Sequence, residues 1–190
     1  MLLERVGWPS HSRTAVGVVH RAAILRIVAK ADTRMVLDLV AEARRAVLAT
    51  LDPAGRPRLV PICVVAEPGS AGGSGADPDI VLYSPIDEKP KRASDPMRLA
   101  RVRDLLARPA AAVLVDRWSE EWDGLAWVRL ACRGRLLTPN GPDSKEHARA
   151  VAALRAKYSQ YRTQAIEARP LVRLDCTVAA TWGALGEDAT

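Results

Sequence analysis

The chain reads as mostly β with a few helices, its strands paired antiparallel in a closed or split barrel. Three observations point there. Strand-like runs follow one another without crossover helices, which favours antiparallel over parallel pairing. The run Ala46-Val47-Leu48-Ala49-Thr50-Leu51 stops at Asp52-Pro53-Ala54-Gly55 and reverses into 56–65, a hairpin in which Pro presets φ and Gly supplies the turn exit. The whole order is helix, three strands, helix, two strands, helix, strand, which makes six strands with few helices.

The first helix begins at Asp32, because Met35, Val36, Leu39, Val40 and Ala43 fall on one helical face while Asp38, Glu42, Arg44 and Arg45 lie largely outside it. In the second strand, Pro57 and Pro61 remove ladder donors, so one side near Leu59 and Val60 lacks a neighbour. Pro68 to Gly75 is too polar and glycine-rich to pack and reads as an exposed hairpin loop. The third strand, Ile80 to Ser84, delivers the turn Asp87-Glu88-Lys89-Pro90-Lys91-Arg92. Ser94-Asp95-Pro96 then combines an N-cap, an acid and an early Pro, opening a helix to about Ala107. Ala110 to Asp116 and Leu125 to Leu137 are strand runs on either side of an acidic, tryptophan-bearing loop, Trp118 to Gly124. Asp143 with Glu146 resembles a capping box for a helix to about Tyr161, and Leu171 to Trp182 is the last strand.

Composition excludes more than it identifies. The 190 residues are 48% hydrophobic and 26% charged, sized for one globular domain or a domain plus an appendage. The formal charge is +6, but residues 1–34 hold six basic and two acidic residues, so the body is nearly balanced. With eight aromatics and no Phe, that body gives little support to a base-stacking nucleic-acid surface. Arg outnumbers Lys by 23 to 5, a bias of the kind a GC-rich genome imposes, so two lysines together at Lys89 and Lys91 stand out. Cys63, Cys132 and Cys176 lack Cys-x-x-Cys spacing and read as small core side chains of a cytoplasmic protein in a reducing compartment. His11, His20 and His147 form no ligand spacing, so no metal is expected, and there is no nucleophile elbow, P-loop or dinucleotide fingerprint. No run reaches the roughly 20 apolar residues of a membrane helix. Residues 1–34 are expected to be a loosely attached, poorly ordered extension, with residues 35–190 forming the barrel domain. Whatever chemistry occurs is expected to belong to an organic cofactor.

The segment Ala49-Thr50-Leu51-Asp52-Pro53-Ala54-Gly55-Arg56-Pro57-Arg58-Leu59-Val60-Pro61, then Leu82-Tyr83-Ser84 and Asp87-x-Lys89-x-Lys91-Arg92, resembles the pyridoxamine 5'-phosphate oxidase-like split β-barrel superfamily. The resemblance runs on through Val113 to Trp122 and Leu125 to Leu130, and is nearest to the branch of coenzyme F420 (deazaflavin)-dependent oxidoreductases. It implies the six-stranded antiparallel FMN-binding split barrel and a homodimer with cofactor at the subunit interface. Lys89, Lys91 and Arg92 would carry the phosphate with Ser84 donating to it, while backbone around Leu59, Val60 and Pro61 meets the ring. Convergent ammonium and guanidinium donors suit a phosphate, although a run such as 89–92 taken alone is usually a solvated turn. Trp127 would line the ring edge, or else serve core or dimer interface, and Trp118 and Trp122 would wall the pocket. Arg56 and Arg58 either meet an anionic tail or face solvent.

The implied activity is hydride transfer between reduced deazaflavin and an electron-poor acceptor such as an enone, quinone or tetrapyrrole. The alternatives are an FMN-dependent reductase on the same barrel and a non-catalytic protein that carries a flavin-like or tetrapyrrole ligand. Tyr83 is the one side chain singled out to test as a proton donor. The Arg-rich tail of true pyridoxamine phosphate oxidases is not recognisable after Trp182, so that oxidation is not expected.

Overall fold

A computed structural model of the protein describes residues 32–69, 79–88 and 95–185. The glycine-rich tract from Ser70, the cations Lys89, Lys91 and Arg92, and residues 1–31 lie outside these.

Helix α1 (Thr33–Glu42) starts where its polar cap does: the Asp32 carboxylate accepts the Arg34 N–H at 3.0 Å, and the stripe Val36, Leu39 and Val40 is buried. Strands β1 (Ala46–Leu51) and β2 (Pro57–Ile62) form the expected hairpin. In its turn the Asp52 carboxylate accepts the N–H groups of Ala54 and Arg56, each at 2.9 Å, and Gly55 takes the positive φ of 80°. The Arg56 N–H and guanidinium hold the Asp52 carboxyl below its ordinary range.

The run expected as one strand over 56–65 divides, and this raises the strand number from six to seven. It leaves β2 after Ile62, bends at Cys63 and Val64, and resumes as β3 (Val65–Pro68). Then come β4 (Ile80–Pro85), α2 (Ala100–Ala107), β5 (Ala110–Arg117), β6 (Ala126–Leu137), α3 (Ser144–Lys157) and β7 (Leu171–Gly183). The sheet order is β2-β1-β5-β6-β7-β4-β3, with every pairing antiparallel. Thus β2 and β3, consecutive in sequence, occupy opposite ends of the sheet. One short bend joins the two edges, which curls the sheet into a barrel with a split where β2 and β3 do not pair.

That bend exposes backbone groups to an apolar interior, and α3 supplies their partners. The Tyr158 hydroxyl accepts the Val64 N–H and donates to the Val64 carbonyl, both at 3.0 Å. The Lys157 ammonium donates to the carbonyls of Val64 and Val40, which ties β3 to the end of α1. Burial of Lys157, and then the nearby Arg44 guanidinium, pull its pKa down to about 8. The unfolded chain therefore binds the extra proton between about pH 8 and the ordinary lysine value near 10.4, so stability rises across that window. Above pH 10 the trend reverses, because the buried phenols of Tyr83 and Tyr161 are pushed upward and stay protonated while the unfolded ones ionise. We expect urea midpoints to climb from pH 8 to near 10, and Lys157→Met to flatten the climb.

The core lies on both faces of the curled sheet. Inside the barrel, Val36 and Leu39 of α1 and Val102 and Leu105 of α2 meet Leu48, Ile80, Leu82, Val113, Val128, Leu130 and Leu174. On the other face of β3, β4 and the start of β7, α3 buries Ala150, Val151 and Leu154 against Val81, Tyr83 and Leu171. Two expectations change. Cys132 and Cys176, read as separate core thiols, stand directly opposite each other in the β6–β7 register and are joined as a disulfide; the reading failed because residues 44 apart in sequence become cross-strand neighbours only once the register is set. The capping box at Asp143 does not form, because its carboxylate accepts the Arg135 guanidinium at 2.6 Å instead, and α3 stops at Lys157 ahead of a 3-10 turn over Ser159–Arg162. At the second helix, Asp95 caps a short 3-10 turn at the Met97 N–H, and α2 follows it.

Candidate functional site

Alternation along the strands gathers one set of side chains on the outer face of β2, β1, β5, β6 and β7. The register places Pro61, Val47, Leu114, Arg129 and Ala180 in one row across it, and Leu59, Ala49, Ala112, Ala131 and Thr177 in the next. Apart from Arg129, the side chains in these two rows are apolar or small. Leu59 is 65% exposed and Leu51, Leu114 and Trp182 are exposed as well, a contiguous patch of the kind that marks an interaction surface.

At one end of the face lies a groove of about 580 Å³, lined by Arg45, Val47, Leu114, Asp116, Trp118 and Trp127, with Arg117, Leu125, Ala126, Arg129 and Trp182 completing it. Trp127 and Trp182 are directly paired across β6 and β7, and Trp118, 75% exposed, reaches in from the β5–β6 connection. Trp122, expected beside it, is exposed outside this lining. Gly183 closes the end of β7 at a φ of +86°, where a Cβ would stand 2.0 Å from the Leu125 carbonyl oxygen, so the chain beside Trp182 passes close against the β5–β6 connection. Arg117 is held within the protein: it donates to the Glu42 carboxylate at 3.0 Å and to the carbonyls of Gly124 and Ala184.

The residues singled out from sequence divide between places. Leu59 and Pro61 are on the outer face of β2, the unpaired edge predicted from its prolines, whereas Val60 packs toward the barrel interior. Trp127 shares the outer face with them but stands three strand spacings away, about 14 Å. Ser84 alternates with Tyr83, faces the barrel interior with Leu82 and is 2% exposed. Lys89, Lys91 and Arg92 lie outside the described residues, beyond the end of β4. Arg56 is paired to Asp52 at 2.8 Å.

Arg58 has a partner that sequence reasoning missed. Its Nε donates to the Asp104 carboxylate of α2 at 2.8 Å, and the buried Thr50 hydroxyl donates to the same oxygen at 3.0 Å. The pair lies 46 positions apart, and α2 shows no pattern in sequence that marks Asp104 as buried.

Tyr83 belongs elsewhere. Its hydroxyl donates to Glu146 at 2.7 Å in a polar cleft of about 380 Å³ shared with Glu67, Arg149 and Arg173, and the cleft has no lining residue in common with the tryptophan groove. Burial and the Glu146 hydrogen bond push its phenol well above the ordinary range, which leaves it a poor proton donor. Glu146 also accepts from Arg135 and Arg173, and Arg149 pairs with Glu67, so this cleft is a self-satisfied network that fastens α3 to the sheet. Among the described residues no group of His, Cys, Asp and Glu is arranged to hold a metal ion, and no helix is long and apolar enough to cross a membrane.

The site's chemistry is therefore a flat apolar strand edge and an aromatic groove with cationic rims, and the sequence carries further cations after β4. Those features fit a planar ring bearing an anionic tail. A family profile described as pyridoxamine 5'-phosphate oxidase matches residues 33–183. No curated protein matches the chain. Among solved structures, an FAD-binding protein from Mesorhizobium loti aligns with a TM-score of 0.53 at 17% identity, over 84% of this chain and 98% of its own. A conserved hypothetical protein from Mycobacterium tuberculosis aligns at 0.51 and 16% identity, over 82% and 88%. The heme storage protein HutZ from Vibrio cholerae aligns at 0.50 and 9% identity, over 79% and 92%. At these identities the likeness is one of fold.

Proposed function

The chain belongs to the pyridoxamine 5'-phosphate oxidase family, and from that premise we propose that it is a coenzyme F420 (deazaflavin)-dependent oxidoreductase acting on an electron-poor organic acceptor. The observation that carries this reading is β2, an edge strand whose exposed Leu59 and Pro61 share one sheet face with the tryptophan groove. A flat ring laid on that edge meets backbone groups that no strand of the same chain pairs. When bound, a reduced deazaflavin supplies a hydride, and the acceptor gains that hydride together with a proton from water.

The protein binds, orients and excludes water. Backbone at Leu59, Val60 and Pro61 meets the ring, and Lys89, Lys91 and Arg92 hold the phosphate, while Ser84, turned into the barrel interior, has no part in it. The 14 Å between β2 and Trp127 supports a homodimer, in which the exposed apolar faces of two copies meet and the β2 edge of one subunit faces the groove of its partner. Trp127 then lines the ring edge from across the interface. In this reading residues 1–31, ahead of the Asp32 cap of α1, are an appendage to the barrel domain.

The test is titration of the purified full chain with F420 and, separately, with FMN, followed by quenching of tryptophan fluorescence, with Lys89→Ala/Lys91→Ala alongside. We expect F420 to bind, the double variant to lose about tenfold or more of that affinity, and the wild type to sediment as a dimer. A preference for FMN moves the protein to the flavin reductases of the same fold, and binding of neither sinks the reading. Turnover of a quinone by the loaded protein separates an enzyme from a carrier.

A further inference from the structure

The tryptophan groove contains charge that the fold does not use. Arg117 is held by Glu42 and by two backbone carbonyls. Arg45 and Arg129, in contrast, line the groove without a carboxylate within salt-bridge range among the described residues. They come from different elements: Arg45 precedes β1, and Arg129 sits two residues after Trp127 on the same face of β6. Asp116 is the one carboxylate in the lining, placed opposite Trp127 and so diagonal to Arg129. The lining thus carries two unpaired cations against one unpaired anion, beside three indole rings.

Indoles take up flat conjugated surfaces, and a guanidinium beside them is a planar, weakly hydrated donor suited to a carboxylate or a similar oxyanion. An excess of one cation favours one negative charge on the ligand. We propose that this groove receives the acceptor, and that it selects a planar conjugated molecule bearing a single anionic substituent. The ring system lies against Trp127 and Trp182 under Trp118, and the anion is held by Arg45 and Arg129. This deepens the hydride-transfer reading and rests on it for the word acceptor, while the binding preference itself belongs to the groove. Neither arginine takes part in the fold's ion pairs, so replacing both leaves the barrel's internal contacts in place.

The experiment is calorimetric titration of the full chain, free of cofactor, with anthraquinone-2-carboxylate and with its uncharged carboxamide. The wild type is expected to bind the carboxylate about tenfold more tightly than the amide, the return on a charge-assisted hydrogen bond. In Arg45→Ala/Arg129→Ala the preference is expected to vanish with the melting temperature unchanged. Equal affinity for the two probes, binding of neither, or a preference that survives the double substitution would each overturn the proposal. F420 and FMN titrated into the same preparations keep the two readings apart. Cofactor binding without carboxylate preference removes only the acceptor assignment, and carboxylate preference without cofactor binding removes only the hydride-transfer reading.

Discussion

Tyr158→Phe is expected to lower the free energy of unfolding by about 1–3 kcal/mol, the cost of one buried backbone donor left without a partner. Val64 is 1% exposed and sits at the bend that joins β2 to β3, where neither strand's ladder reaches its N–H. The Tyr158 hydroxyl is what that N–H finds, and Phe keeps the ring and its packing while removing only the oxygen. The Val64 carbonyl keeps Lys157 as a donor in the variant, so the loss falls on one group and not two. Thermal melts should fall by about 2–4 °C for each kcal/mol, and amide exchange at Val64 should quicken more than exchange in β6. A melt unchanged within error would mean that water satisfies the bend. In that case α3 would not be the element that holds the barrel's two edges together.

The same bend shows where the sequence was legible and where it was not. The β1–β2 hairpin could be read directly, because Asp52-Pro53-Ala54-Gly55 dictates a turn through local chemistry; Gly55 takes the positive φ, and the Asp52 carboxylate adds two backbone bonds that the sequence reading does not name. The unpaired edge of β2 was legible too, from two prolines that cannot donate. The division of that run at Cys63 and Val64 was not, since its apolar pattern continues unbroken and the partner that permits a bend is a tyrosine 94 residues later. The site followed the same rule. Trp127 and Arg129 share a face by alternation alone, so the β6 part of the groove was visible in that strand's sequence. Trp182 joins them through a β6–β7 pairing whose register no local pattern sets. Asp143 and Glu146 had the spacing of a capping box, but a guanidinium at Arg135 is a stronger partner for a carboxylate than a helix N–H, and the ion pair displaced the cap.

Arg58 is where fold and proposed function meet on one side chain, and a double-mutant cycle separates them. The Asp104 carboxylate is 4% exposed, and it accepts from the Arg58 Nε and the Thr50 hydroxyl. Removing the guanidinium leaves a buried charge on one neutral donor, which costs about 1.5–3 kcal/mol for a charged hydrogen bond and less here because Arg58 is 42% exposed and screened by solvent. We therefore expect Arg58→Ala to cost about 1–2 kcal/mol. Asp104→Asn keeps an acceptor for Thr50 and needs no counter-charge, so the Arg58→Ala/Asp104→Asn pair should recover most of the loss, with a coupling of about 1 kcal/mol in urea unfolding. Cofactor affinity is expected to behave differently. The Arg58 hydrogen bond to Asp104 comes from Nε and the side chain is 42% exposed, and if its Nη atoms hold the anionic tail of the cofactor, F420 affinity falls in the single variant and stays low in the stable double variant. Recovery of affinity along with stability would assign Arg58 to the fold alone and leave the anion to Lys89, Lys91 and Arg92.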